Sequence, residues 1–246
     1  RNPVAPFTTS TLQQAASKRL RFSARRTMST AQRLYEGIEL GGRGAVGLIT
    51  YMRTDSTRVA PGAVEAARAW VGREFGKEYL ASSPRLWGGK QQKAAQDAHE
   101  AIRPTDPTLH PDDARSFLED DTARLYELIW LRFVAGQMAP ALYDTTTIDF
   151  DLTAEGGPKA NGGGPGTSGG AREYRFRSTG SILKFQGFTR LYVEATEAGD
   201  RRPLADLDEL PAMEEGDSAA VKGIDPAQHF TQPPPRFSEA SLVKEL

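Results

Sequence analysis

The run Gly47-Leu-Ile-Thr-Tyr51-Met-Arg53-Thr-Asp55-Ser56-Thr57 decides how this chain is read. It is rich in Val, Ile, Thr and Tyr from Ala45 onward, so a strand is expected over Ala45–Thr54. In an extended chain, residues two apart point the same way and lie about 7 Å apart. Tyr51 and Arg53 then project to one side, with Asp55 next in line. A tyrosine hydroxyl is a poor nucleophile at its free pKa of about 10, so attack on phosphorus needs help. A guanidinium beside it favours the phenolate, and its planar fork grips two oxygens of a phosphate. A bare Tyr-x-Arg is far more often an amphipathic strand with an exposed arginine. The pair therefore needs support from the rest of the chain.

Upstream, residues 8–37 read as two helices. Ser10-Thr-Leu-Gln13 fits a capping box, and Leu12, Ala16 and Leu20 recur at helical spacing. Met28, Ala31, Leu34 and Tyr35 mark a second apolar face that ends at Gly37. Gly41-Gly-Arg-Gly44 is a flexible loop and not a P-loop, since no Gly-Lys-Ser/Thr follows. Downstream, Pro61 suits the first position of a helix running to about Phe75, with Val64, Ala67, Val71 and Phe75 on one face. Asp121–Met138 reads as a buried central helix, apolar around most of its circumference. His99 and Arg103 lie four positions apart and would share a helical face that Pro104 ends.

At about Pro140 the apolar period changes from helical to alternating. Ile148, Phe150 and Leu152 oppose Thr147, Asp149 and Asp151, and Tyr174 and Phe176 repeat the pattern against Arg175 and Arg177. Between them, residues 156–170 are a Gly-rich hairpin tip. Residues 197–217 are acidic and loop-like. Pro233-Pro-Pro235 leads stiffly into an amphipathic helix start, Ser238–Leu246.

Composition narrows the class. Of 246 residues, 38% are hydrophobic and 26% charged, which describes a soluble globular chain. No apolar run approaches the roughly 18 residues a membrane span needs. No signal peptide and no initiator methionine are present, which suggests a piece of something longer. The absence of cysteine excludes disulfides and thiolate metal or redox sites in these residues. Residues 1–58 hold ten Lys or Arg against three Asp or Glu, in a chain of net charge −1. That is a local footprint for a polyanion such as a phosphate backbone, or else a solvated helix face. Asp149-x-Asp151 and Asp206-x-Asp208 are poor magnesium candidates, one on the polar face of a strand and one in an acidic loop. No metal site is expected within the chain.

Thr50-Tyr-Met-Arg-Thr-Asp-Ser56 resembles the active-site segment of bacterial type IA DNA topoisomerases. The resemblance continues through Pro6-Phe-Thr-Thr-Ser-Thr-Leu-Gln-Gln-Ala-Ala16, Ala31-Gln-Arg-Leu-Tyr-Glu36, His99-Glu-Ala-Ile-Arg-Pro-Thr105, Leu128-Ile-Trp130, Gln137-Met138 and Pro235-Arg-Phe-Ser-Glu-Ala-Ser-Leu-Val-Lys244. These stretches keep the family's order over almost the whole chain, and Met52 favours the topoisomerase I branch.

The resemblance implies an α+β fragment of a multi-domain toroid. Residues 1–140 would be a mainly helical domain bearing the tyrosine, residues 141–222 part of a β-rich arch, and residues 223–246 the start of a return into the base domain. It implies ATP-independent relaxation of negatively supercoiled DNA. Tyr51 would attack a single-stranded phosphodiester to give a 5′-phosphotyrosine link, with Arg53 holding the scissile phosphate. Thr54, Asp55 and Ser56 would support the loop, with Asp55 orienting Arg53. His99, Arg103, Arg236 and Ser241 would contact DNA. Mg²⁺ would serve the complete enzyme through a Toprim domain absent here, so the fragment alone should be inactive. The implied partner is DNA, chiefly single-stranded, for a monomer in the bacterial cytoplasm at the nucleoid, with no membrane.

Three rivals stand beside this, one of them a purely structural reading of the chain as a degraded gene fragment. A non-catalytic helix-turn-helix module over residues 8–37 explains the charge asymmetry but not the Tyr51–Arg53 match. A tyrosine recombinase places two arginines and a histidine upstream of its tyrosine, and no histidine precedes Tyr51.

Overall fold

Six helices and four strands follow one another in a computed structural model that describes residues 1–42, 44–88, 99–154, 172–194, 209–223, 225–228, 230–231, 233 and 236–245. Helices α1 (Thr9–Leu20) and α2 (Ala24–Glu36) lead into a short hairpin of β1 (Ile38–Glu39) and β2 (Ala45–Val46). Then come α3 (Pro61–Glu74), α4 (Pro111–Ala114) and α5 (Asp120–Ala135). Strands β3 (Leu142–Ala154) and β4 (Arg172–Phe185) precede the last helix, α6 (Glu239–Glu245). The mixture is an α+β fold, as expected. The chain divides into two compact units: Arg1–Leu142 with Phe185–Asp200 and Gln232–Leu246, and Tyr143–Lys184 with Arg201–Thr231.

In the first unit the core forms around α5. Leu125, Leu128, Ile129, Trp130, Phe133 and Val134 are all buried, and α1, α2, α3 and α4 pack against this one helix. Its polar rim is also satisfied: Trp130 Nε1 donates to Pro107 O at 3.0 Å, and the Tyr126 hydroxyl donates to Leu109 O at 2.8 Å. Burial, with a smaller contribution from the Asp106 charge, pushes the Tyr126 phenol well above its usual range. Pro61 opens α3 at its first turn, where a missing N–H costs nothing. His110, to which the sequence assigned no role, caps α4 by accepting Asp112 N–H and stacks on Trp70.

The structure corrects four local expectations. The first cap of α1 is Thr8 with Thr11, not Ser10 with Gln13, because the Thr8 side chain meets the Thr11 N–H while Thr11 returns the bond. On α2 the buried face is Thr27, Thr30, Ala31 and Leu34, and Tyr35 turns outward. The expected strand over Ala45–Thr54 exists only at Ala45–Val46. Beyond it the chain stays irregular, since its peptide groups bond to scattered partners and not to one neighbouring strand. Finally, His99–Pro104 is not helical. Ile102 bridges to Phe7 and Pro104 to Ile49, so this segment is laid out extended between two others.

In the second unit β3 and β4 form an antiparallel ladder whose register is legible from its cross-strand pairs. Arg177 forks onto Asp149 at 2.7 and 2.8 Å, and Arg175 onto Asp151 at 2.7 and 3.0 Å. Each carboxylate is held below its ordinary value, chiefly by the hydrogen bonds from its arginine. Ile148, Phe150 and Leu152 are half-buried on the other face while Thr147, Asp149 and Asp151 are exposed. The Gly-rich stretch 156–170, Asp206, Asp208 and most of the acidic loop lie outside the described residues.

Candidate active site

From Tyr51 to Ser56 burial alternates without a break. Tyr51, Arg53 and Asp55 are exposed; Met52, Thr54 and Ser56 are buried. The chain bends at Met52, so Tyr51 and Arg53 share exposure to solvent without lying on a straight extended strand, and the segment belongs to no sheet. Tyr51 remains 43% exposed, enough for its hydroxyl to meet a solvent-borne substrate. The edge of the Tyr35 ring packs against it, with centroids 5.3 Å apart and planes at 66°. Tyr35, exposed at the end of α2, thereby limits where the Tyr51 ring can swing.

Backbone bonds clamp the segment on both flanks. On the near side, Thr50 N–H donates to Arg103 O at 2.9 Å and Thr50 Oγ1 donates to Ala101 O at 2.7 Å. Arg103 N–H returns a bond to Thr50 Oγ1 at 3.0 Å. Leu48 N–H reaches Leu34 O at 2.7 Å, and Thr105 N–H reaches Leu48 O at 3.0 Å. On the far side Thr9, the first residue of α1, binds Met52 and Thr54. Thr54 Oγ1 then accepts Ser56 N–H at 3.0 Å, and Ser56 Oγ accepts Arg58 N–H at 3.2 Å. Buried peptide groups without a ladder need such partners, and short polar side chains supply them here.

The structure brings some expected residues together and not others. Arg103 adjoins Tyr51 through the backbone of Thr50, but its guanidinium is occupied. It is 11% exposed, donates to Glu100 Oε2 at 2.6 and 3.0 Å, and donates to Pro104 O at 2.8 Å. No hydrogen bond or ion pair joins Asp55 to Arg53, so the expected orienting contact is not made in this state. His99 is exposed. Arg236 is exposed, and the Ser241 hydroxyl accepts Ser238 N–H at 2.8 Å, capping α6. That helix packs on α1, whose first turn carries the clamp on Tyr51.

The basic first segment is partly neutralised from within. Arg26 forks onto Asp121 at 2.7 and 2.8 Å, and Arg33 pairs with Glu119 at 2.7 Å. The acidic start of α5 thus consumes charge that a helix-turn-helix reading would spend on phosphates. Among the described residues no group of three or more His, Asp or Glu could hold a metal ion, and Asp149 and Asp151 are both engaged by arginine. Nor is any described helix long and apolar enough to cross a membrane.

Thr9, Thr50 and Tyr35 were not singled out by reading the sequence for chemistry. All three lie inside or beside the matched stretches, but only the tertiary contacts tie them to Tyr51.

Against known proteins, a family model described as DNA topoisomerase matches residues 1–246. Among solved structures, full-length topoisomerase I from Thermotoga maritima is similar, at 37% identity and a TM-score of 0.71. The match covers 99% of this chain and 34% of that one. The chain therefore spans about a third of the length of that relative.

Proposed function

The chain belongs to the bacterial type IA DNA topoisomerase family, and on that premise we propose that Tyr51 is its strand-cleaving nucleophile and Arg53 the residue that grips the phosphate. One observation carries the reading. Tyr51 and Arg53 are both exposed, two residues apart, on a segment whose backbone is clamped on both flanks.

Such a segment suits in-line attack. The Tyr51 oxygen, as phenolate, bonds to phosphorus of a single-stranded phosphodiester. The bond to the 3′ oxygen breaks, that oxygen takes from solvent a proton equivalent to the one the phenol gave up, and the 5′ end stays linked to the enzyme through the phosphate. Arg53, with its fixed positive fork, stabilises the extra negative charge that builds on the phosphoryl oxygens. A pinned backbone means that little of this geometry must be bought at the moment of reaction. After strand passage the 3′-hydroxyl attacks the link and reseals the strand. The phosphoester is conserved throughout, so no ATP is consumed, and the net outcome is relaxation of negatively supercoiled DNA.

The described residues offer no fit for Mg²⁺. Its ligands are expected in a Toprim domain outside these 246 residues, and the isolated chain is expected to be inactive. Residues 1–140 are read as the tyrosine-bearing domain, 141–222 as part of the arch and 223–246 as the return segment. His99, Arg103, Arg236 and Ser241 remain proposed DNA contacts, Arg103 only if it exchanges Glu100 for a phosphate. Thr54 and Ser56 are proposed to hold the loop. The setting is a monomer at the bacterial nucleoid.

Covalent trapping on end-labelled single-stranded DNA tests the reading. The full-length protein is expected to give a denaturant-resistant adduct with Mg²⁺ that disappears in Tyr51→Phe. DNA retained in a native gel with no adduct from either protein would support the binding-module reading instead.

A further inference from the structure

Arg53 sits between two peptide units, and one side chain holds both. Thr9 Oγ1 donates to Met52 O at 2.8 Å, with Thr54 O a second acceptor at 3.1 Å. The same oxygen accepts Thr54 N–H at 2.8 Å. Thr9 N–H adds a bond to Thr54 O at 2.9 Å. The carbonyl before Arg53 and the amide after it are therefore fixed to the first residue of α1. That helix is itself firmly seated: Thr8 and Thr11 cap it reciprocally, and Leu12 and Ala16 are fully buried.

We propose that Thr9 is the positioning residue for Arg53, setting the guanidinium against the Tyr51 hydroxyl; the inference rests on Tyr51 being the nucleophile. The physical case is that a long side chain is aimed by its backbone first. With the peptides on both sides of Arg53 pinned, φ and ψ at that residue have little freedom, and only side-chain torsions remain to be fixed by the phosphate. Thr50 does the corresponding work for Tyr51 from the other flank, through Ala101 and Arg103. The two clamps come from separate parts of the chain. Loss of Thr9 should therefore disturb Arg53 while leaving the Tyr51 anchor in place. Serine keeps the hydroxyl and should keep the function; valine keeps the shape and should lose it.

The experiment uses the full-length protein and measures single-turnover adduct formation at saturating single-stranded DNA. Thr9→Val is expected to slow cleavage on the order of 10²-fold, the scale of a displaced catalytic group. DNA affinity should stay within about threefold, which separates a transition-state loss from a loss of binding. Thr9→Ser should restore most of the rate. Thr27→Val is the comparator, since Thr27 is also fully buried and its hydroxyl donates to Ser23 O at 2.9 Å within α2. It should lower the melting temperature without slowing cleavage. Wild-type cleavage by folded Thr9→Val, or an equal slowing by Thr27→Val, overturns the proposal. If Thr9→Val does not fold, Thr9→Cys replaces it, because a thiol is a weak hydrogen-bonding partner; equal rates for Thr9→Cys and Thr9→Ser then overturn it. An adduct that persists in Tyr51→Phe sinks the reading of Tyr51 itself, independently of how the Thr9 variants behave.

Discussion

Replacing Gly47 by alanine probes how closely the Tyr51 segment passes the end of α2. A Cβ on Gly47 would sit 2.6 Å from the Tyr35 carbonyl oxygen, whereas ordinary contact begins at 3.4 Å. The obstacle is backbone, so one chain must retreat by about 0.8 Å. Retreat strains the adjoining bond from Leu48 N–H to Leu34 O and slides Tyr35 along the Tyr51 ring. Overpacking of this kind costs about 1–3 kcal/mol. Each kcal/mol moves the melting temperature by roughly 2–4 °C in a chain of this size, so Gly47→Ala should melt roughly 2–12 °C lower. Gly62→Ala is the matched control. Gly62 lies in the first turn of α3 with nothing within 4 Å of its would-be Cβ. Alanine there should stabilise by about 0.4–1 kcal/mol, by restricting the unfolded chain. Thermal melting of the two variants should therefore shift in opposite directions, and only Gly47→Ala should slow adduct formation. A Gly47→Ala protein that melts and cleaves like wild type would falsify the close approach.

Two further outcomes follow from the perturbed groups. Burial raises the Tyr126 phenol above the ordinary tyrosine value of 10.0, so unfolded Tyr126 ionises before folded Tyr126 does. Its contribution to stability is complete below pH 10.0 and is lost as pH rises toward the folded value; denaturant midpoints at about pH 9 and pH 11 should differ less in Tyr126→Phe than in wild type. Asp149 and Asp151 are depressed below 3.8, so their support of the β3–β4 ladder is present above that pH and lost as pH falls through the lower folded values. Carboxyl NMR titration should find both midpoints below 3.8, and Arg177→Ala should return Asp149 toward it without moving Asp151 to the same extent.

Reading the sequence alone succeeded where the determining interactions are local. Pro61 starts α3 because a proline at the first helical position forfeits no hydrogen bond. The alternation from Thr147 to Leu152, repeated at Tyr174–Arg177, predicts a pair of strands, and the matching Asp and Arg registers are consistent with it. The exposure of Tyr51 and Arg53 with Met52 buried between them also follows from local alternation, although the chain bends at Met52. The family resemblance rests on motifs, and the family match extends over all 246 residues.

The rest depended on contacts between distant residues. His99–Pro104 has helical spacing, yet its amides are claimed by Phe7, Arg58 and Thr50, which sit 43 to 95 positions earlier. A helix there would forfeit those bonds, so the extended form wins. Tyr35 looked apolar by periodicity, but two threonines take the buried face and leave it free to meet Tyr51. Thr9 carries no local sign of its task, since a threonine in a helix's first turn is unremarkable. Its hydroxyl matters only because folding brings Met52 and Thr54 to within 2.8 Å of it. The sequence by itself determined the motif around Tyr51 and Arg53 that matches the family and the alternation that leaves both exposed, because both are properties of a few consecutive residues. Only the tertiary structure decided what holds them there, because peptide groups outside regular ladders take their partners from wherever the fold puts them.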